Sequence, residues 1–458
     1  MKKNLIFFGF LILALIHLLV LKTITFTAWP EMFSYPYLIN KDFLIYHDFA
    51  HPYAPLLTFM LAFYYKLFGM GLFTHQIFVW SLILINDLLI FITSRKILKR
   101  YFSLAPVTIY VFLQPIFEGN MLWFDLATVP FIVSSYLVCL YIKQIPRRLF
   151  WIGFLLALAL LTKQQAVILA ALIFLTLLFS KETRGKIHYF ILGGFIPVFF
   201  MFLILLSAWI FDDYIFWTLI FPLYWLPKFP GYVDMPSTKN IILVLMSFGL
   251  PFLYVAKNPF KMDFFQRIIL VSVIATVLMA FPRFSYFHLQ PAIAAMVILL
   301  AIILKQQKKI AAFFLAGSLL SGVWLWKDYR PFIGVNQARF YDKADLEFAE
   351  FVKQNTTPDD RVYFLGPHSL SYVLADRVPS IPWIDNYVWH FEIPGMQQKQ
   401  IAGLEREENI VIFKQPYQKG LWYQLGVYKP KQIEEYINNK FQKVNAYKNG
   451  VEVWKKKD

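Results

Sequence analysis

The sequence predicts a polytopic α-helical membrane protein with about eleven transmembrane helices and a small C-terminal extracytoplasmic α/β domain. Three observations predict it. The 458-residue chain is 59% hydrophobic and only 16% charged, whereas soluble globular proteins carry roughly 45–50% apolar and about 25% charged residues. Apolar runs recur at lengths near the roughly 20 residues that cross a hydrocarbon core. From about residue 327 the composition changes to that of a soluble domain: residues 1–326 hold 25 Lys/Arg against 11 Asp/Glu, and residues 327–458 hold 19 against 17.

Along the chain, "MKKNLIFFGFLILALIHLLVL" has the build of a signal peptide, but no small-x-small cleavage site follows, so it reads as an uncleaved first span. Spans are expected near 5–21, 75–93, 101–117, 121–142, 149–162, 164–180, 187–210, 241–256, 267–281, 288–304 and 310–326. With the N-terminus cytoplasmic, the inner loops, among them "SRKILKR", "KQIPRR" and "KQQKK", carry 18 Lys/Arg, and the outer segments keep seven. The positive-inside rule produces this asymmetry. An odd number of spans puts the C-terminal region outside, in the orientation expected of a plasma (inner) membrane protein.

Two outer segments are long. The first, residues 22–74, contains "YAPLLTFMLAFYYKLFG", which is short for a span and reads as a helix lying in the interface. The second, residues 211–240, is rich in aromatics and proline and is expected to lie on the bilayer. The transmembrane domain then covers 1–326 and the α/β domain 327–458. Within the latter, "LEFAEFVKQNTTPDD", "SLSYVLAD" and "KPKQIEEYINNKF" read as helices, "RVYFLG" and "ENIVIFKQ" as strands. "VNAYKNGVEVW" reads as a hairpin whose Asn-Gly suits a type I′ turn.

Composition also excludes some functions. The net charge of +16 belongs to the membrane part, and no basic stripe with interleaved aromatics points to nucleic acid. The single Cys139 rules out an internal disulfide or a cysteine-rich metal site. No G-x-G-x-x-G follows a strand, so nothing suggests a nucleotide-sugar site.

Ionisable groups at membrane depth are functional candidates, and here they fall at the outer ends of spans. In "IYHDFAHPYAP", Asp48 reads either as the cap of the interfacial helix or as a general base above an outer cavity. His47 and His51 are expected to line that cavity, and Pro52 argues against their sharing a helix face as metal ligands. Lys163 in "LLTKQQA" is either a snorkelling lysine or an anion-binding one. Arg283 and His288 in "FPRFSYFHLQPA" are either interfacial anchors or a phosphate fork with a second donor. Glu118 and Asp125 bracket the turn "EGNMLWFD" and read as cavity-lining or as helix caps. No metal site is assigned, and a divalent metal is possible without support from these residues.

One acid and several cations on the outer face imply a reaction that releases an anionic, lipid-anchored leaving group. A sugar on a polyprenyl phosphate fits, because its phosphate leaves as a stable anion and gains from positive charge placed where negative charge develops. Asp48 would take the proton of an acceptor hydroxyl, inverting the anomeric centre, with Lys163, Arg283 and His288 on the donor phosphate. Partners would be the bilayer, the polyprenyl-phosphate-linked sugar and an extracytoplasmic acceptor in the cell envelope. Two rivals are a lipid-linked sugar transporter, which would favour inverted repeats that this chain lacks, and a non-catalytic assembly subunit.

These residues resemble the GT-C class of polyprenyl-phosphate-dependent membrane glycosyltransferases, in the branch of protein O-mannosyltransferases and lipid A aminoarabinose transferases. The resemblance rests on the ordered combination of "YHDFAHPYAPL", "LLTKQQA", "PRFSYFHLQPA" and the C-terminal "DDRVYFLGPHSLSYVLADRVPS". It implies a lipid-linked sugar donor for hexosyl or pentosyl transfer, an outer-facing cavity and an essential first-loop acid, matched here by Asp48. Protein O-mannosyltransferases carry an Asp-Glu pair at this point; here Phe49 follows Asp48.

Overall fold

The structure, a computed structural model, describes residues 2–249, 253–255, 262–329, 338–420 and 427–457. The membrane part is a helical bundle. Helix α1 (Lys2–Thr23) leads through the short strand β1 (Phe26–Thr27) into α2 (Glu31–Asn40) and α3 (Leu56–Phe68). Then come α4 (Leu72–Ile97), α5 (Ala105–Ile116), α6 (Phe124–Tyr141), α7 (Ile145–Thr162), α8 (Ala166–Phe179) and α9 (Ile187–Ser207). After a short α10 (Phe211–Ile215) follow α11 (Thr238–Phe248), α12 (Phe264–Leu278), α13 (Gln290–Gln306) and α14 (Lys308–Tyr329).

Each of the eleven expected spans falls on a helix. Among the described residues, seven helical stretches are long and apolar enough to cross a membrane by length and composition; Tyr101–Ile116, Ala166–Phe179, Thr238–Phe248 and Phe264–Leu278 are apolar but shorter. The chain is thus a mainly helical, multi-pass membrane protein. Much of the second half of the expected span 241–256, most of the basic loop after it, and residues 330–337 beyond the expected domain junction lie outside the described residues.

Burial sorts the helices. Every residue of α13 from Gln290 to Ile303 is buried, which its all-round apolar sequence permits; it is the axis of the bundle. Helix α9 instead turns Ile191, Phe195 and Phe200 outward. It also packs tightly on α7 through glycine. A Cβ built on Gly193 would lie 1.9 Å from the Phe150 carbonyl oxygen, and one on Gly153 2.1 Å from that of Phe190. Small residues let transmembrane helices approach backbone to backbone.

Helix α3 falls on the segment of the first loop expected to be helical. It buries Leu57, Leu61 and Tyr65 and exposes Phe63, Leu67 and Phe68. The second long loop is more ordered than its proline content suggests, because α10 continues into a π-helical stretch, Phe216–Trp225.

The C-terminal region begins with β2 (Ala338–Arg339), which pairs in parallel with β1. It then runs α15 (Lys343–Asn355), β3 (Arg361–Leu365), α16 (Leu370–Ala375), α17 (Val388–Phe391), α18 (Met396–Arg406) and β4 (Ile410–Lys414). Helix α19 (Lys431–Lys440) and the hairpin β5 (Phe441–Ala446) and β6 (Glu452–Lys456) complete it. The sheet order is β3-β4-β6-β5, with β3 and β4 parallel and the other pairs antiparallel. The hairpin departs from the expected type I′ turn. Tyr447 and Gly450 close it by a backbone bond, and Gly450 alone of the Asn-Gly pair takes a left-handed φ, +89°. The loop is longer than two residues, so the strands do not need both central residues left-handed.

The first loop and the C-terminal region are clasped together. Trp383 and the 48–50 backbone exchange two bonds, Ala50 N–H to Trp383 O at 2.9 Å and Trp383 N–H to Asp48 O at 2.8 Å. Tyr37 and Lys41 both reach Asp376, each at 2.9 Å.

Replacing Gly193 by Val should force α7 and α9 apart and cost about 1–3 kcal/mol, seen as a lower melting temperature of the detergent-purified protein. Gly185→Ala, whose Cβ would meet nothing within 4 Å, should leave that temperature unchanged.

Candidate active site

A cavity of about 360 Å³ opens where the end of the bundle meets the two long loops and the C-terminal region. Its walls are largely aromatic, with Trp29, Tyr53, Trp123, Phe287, Tyr387 and Trp389 among them, and three basic side chains reach it: Lys163, Arg283 and His288.

Two of these are held by one acid. Asp125, at the first turn of α6 and 0% exposed, accepts from Lys163 Nζ at 2.5 Å and from His288 Nδ1 at 2.7 Å. Lys163 caps the C-terminus of α7, and His288 lies in the turn entering α13. The triad therefore joins three separate helices. With Nδ1 of His288 donating to Asp125, its Nε2 is the ring nitrogen left for a ligand. The lysine charge is balanced by the aspartate, so the triad as a whole is close to neutral when the imidazole is.

Arg283 is different. Its guanidinium stacks over Trp389 at 5.3 Å, and no carboxylate pairs with it among the described residues. The strand-like contact between Asp234 and residues 282–284 fixes its backbone. It is the cation of this cavity free to meet an anion.

Gln164 explains part of the "KQQ" motif. Its amide donates to Pro52 O at 2.7 Å and accepts from Ala54 N–H at 3.2 Å, stapling the first loop beside Lys163. His51 is structural. It is fully buried, contacts Tyr53 O at 2.9 Å and Thr58 Oγ1 at 2.8 Å, and burial pushes its pKa down to about 3.

The structure places Asp48 elsewhere. Oδ2 of Asp48 accepts from Leu44 N–H at 2.8 Å, closing its own turn, and the residue is not among those lining the cavity. The left-handed Tyr46 (φ 71°) turns the chain so that Pro52 and Tyr53, not Asp48, face the hollow. Its neighbour His47 is exposed and pairs with Asp213 at 2.8 Å. Glu118, also left-handed (φ 54°), lines no part of the cavity; burial raises its carboxyl against the opposing pull of Arg339. Asp48, His47, His51 and Glu118 are thus not brought together with Lys163, Arg283 and His288.

An acid that reaches the cavity wall through Tyr387, whose ring stacks on Trp389 at 5.4 Å, is one that sequence reasoning passed over. Glu31 opens α2 and is 3% exposed. Its Oε1 accepts from the hydroxyl of the cavity-lining Tyr387, and its Oε2 is buried without a partner. Burial, helped by the nearby Asp385, raises its pKa to about 7. Asp385 is itself raised by burial, and accepts from Ser369 Oγ at 3.2 Å and from Asn386 N–H at 2.9 Å. A signal was present: Glu31 is the sole charged residue between Lys22 and Lys41. Among the described residues no three His, Cys, Asp or Glu side chains gather as metal ligands.

No family model and no curated protein matches the chain. Solved structures do. ArnT from Cupriavidus metallidurans in the apo state aligns with a TM-score of 0.63 at 10% identity, covering 99% of this chain and 98% of that one. ArnT bound to undecaprenyl phosphate aligns at 0.60 and 11%, covering 97% of each. The Archaeoglobus fulgidus oligosaccharyltransferase tethered with an acceptor peptide aligns at 0.57 and 10%, covering 100% of this chain and 74% of that one. The likeness extends over the whole chain, and the fold is shared with these structures.

Folded Glu31 keeps its proton to about pH 7, while an unfolded glutamate loses it near 4.5. The folded state therefore binds more protons in that window, and stability falls as pH rises through it. Glu31→Gln should flatten the fall in melting temperature between pH 5 and 7.5, a difference of about 1–3 kcal/mol. Equal slopes in both proteins would put the titration elsewhere.

Proposed function

We propose that this protein is an inverting membrane glycosyltransferase that moves a sugar from a polyprenyl-phosphate donor to an acceptor at the extracytoplasmic face. The observation that carries this reading is the cavity itself, where an unpaired arginine, a neutralised Lys–Asp–His triad and a buried acid behind a tyrosine converge under an aromatic roof. ArnT binds undecaprenyl phosphate and the archaeal oligosaccharyltransferase AglB a dolichol-phosphate; the shared fold supports a lipid phosphate as the donor's anchor here too.

In this reading Arg283 meets the donor phosphate, and its planar fork matches two phosphate oxygens. Negative charge grows on those oxygens as the glycosidic C–O bond breaks, and a fixed cation in a water-poor hollow stabilises it. Lys163 and the Nε2 of His288 give further donors, held in place by Asp125. Aromatic walls pack against the sugar ring. The acceptor hydroxyl attacks the anomeric carbon and gives its proton to the Tyr387 hydroxyl as that hydroxyl gives its own to Glu31. Attack and departure on opposite faces invert the anomeric centre. A Glu31 carboxyl titrating near neutrality is matched to this work. No metal is invoked.

The charge asymmetry of the loops supports an inner-membrane orientation with the N-terminus in the cytoplasm. The cavity, the first loop 22–74, the second loop 211–240 and the α/β region from 327 then share the outer face. The C-terminal region is read as the roof, since Tyr387, Trp389 and His390 reach the cavity from it.

Purified protein incubated with radiolabelled polyprenyl-phosphate sugars and envelope acceptors should transfer label. Glu31→Gln should lower kcat by about 10²–10⁴-fold, with Tyr387→Phe also impaired. Arg283→Ala should raise the KM for donor more than that for acceptor, and Asp48→Asn should keep near-native turnover. Full activity of the Glu31 variant would remove the proposed base.

A further inference from the structure

A second hollow, of about 380 Å³, lies at the opposite end of the bundle. Three helices connect the two. Helix α6 has Asp125 at one end and Cys139 and Leu140 at the other, α7 runs from Arg148 to Lys163, and α13 from beside His288 to Lys305. The rise from Asp125 to Cys139 is about 21 Å, so this hollow is no extension of the cavity above. Nothing in the proposed transfer uses it.

Its polar lining is Lys96 at the end of α4, Arg148, Lys305, Glu182, Asp263 and the Gln266 and Gln306 amides. Both carboxylates are already engaged. Glu182 Oε1 pairs with Arg148 Nη2 at 2.7 Å. Asp263 caps α12, its Oδ1 accepting from Gln266 N–H at 2.9 Å. The cations are less committed. Lys96 and Lys305 have no carboxylate partner among the described residues. Lys96 lies over the Tyr141 ring at 4.7 Å. Arg148 presses its guanidinium on Phe264 at 4.9 Å, and its Nε is buried with no partner at all. A buried donor without an acceptor costs free energy until something supplies one.

We infer that this hollow binds the headgroup phosphate of an anionic membrane lipid. Its position argues for a lipid. It opens among the helix ends that carry "SRKILKR", "KQIPRR" and "KQQKK", the level at which head groups sit beside a basic loop. Basic pockets between transmembrane helices at that level suit lipid phosphates. Next to the cations the walls turn apolar, with Ile97, Leu140, Phe265 and Ile302, as acyl chains require. A phosphodiester fits Lys96 and Lys305, the two lining cations without a carboxylate among the described residues, with the unsatisfied Arg148 Nε beside them, whereas the ammonium of a choline headgroup is repelled by those lysines.

Native mass spectrometry of the full-length protein, titrated with phosphatidylglycerol or phosphatidylcholine in detergent, tests this. Selective retention of phosphatidylglycerol is expected. The double variant Lys96→Gln/Lys305→Gln should weaken it about tenfold, and Lys96→Arg/Lys305→Arg should restore it. Lys99→Gln/Lys308→Gln, which removes equal charge outside the lining, should change it less than about twofold. Equal retention of the two lipids, or an equal loss in the outside pair, would overturn the assignment. Inorganic phosphate in excess separates the sources: retention of the lipid adduct fixes the ligand as lipid, and its displacement keeps the phosphate pocket but moves its ligand to the soluble pool.

Discussion

A carboxylate with no exposure to water has to be compensated, and the way Asp125 is compensated organises this molecule. Lys163 and His288 arrive from two other helices to meet it. Removing one partner of such a buried pair costs about 3–5 kcal/mol, so the three helix ends are held in one arrangement. The cavity is the space that arrangement leaves. It also sets the electrostatics there: the triad is nearly balanced, which leaves Arg283 as the guanidinium without an acid of its own.

Much of the bundle was legible in the sequence because hydrophobic length is a direct physical requirement of crossing a bilayer. Lys163, Arg283 and His288 stood out for the same reason, as costly charges at the ends of apolar runs, and all three line one cavity. Their partner was recognised as a candidate, but the pairing was not, since nothing in the spacing of residues 125, 163 and 288 fixes a three-dimensional contact. Asp48 stands in a conspicuous cluster, yet a carboxylate four residues after a free backbone N–H can close its own turn, and this one does, outside the cavity lining. Glu31 was overlooked for the opposite reason. It sits alone in an apolar, aromatic stretch, where burial changes a side chain's chemistry most.

The α/β region is not a free appendage. Its β3 strand is buried along nearly its whole length, and the segment beyond α16 reaches back to supply Trp383 to the first loop and Tyr387, Trp389 and His390 to the cavity. Of the proline- and aromatic-rich residues 211–240, 211–228 form a continuous helical run, and turns and bends follow over 229–237. Trp217 of that run donates to Tyr46 O at 3.1 Å, and its ring meets His390 edge-on at 5.8 Å. Three chain segments far apart in sequence thus share one apolar core above the bundle.

The pairing of β1 with β2 has a temporal side. A ribosome delivers Phe26 and Thr27 long before Ala338 and Arg339 exist. At roughly 5–20 residues per second the gap is about 15–60 seconds. During that interval the segment holding Glu31 lacks its eventual cover, its carboxylate still hydrated and ordinary. The Glu31–Tyr387 contact and the wall that Tyr387, Trp389 and His390 give the cavity then form late and together, when the last quarter of the polypeptide docks, and a chain cut short before it has neither.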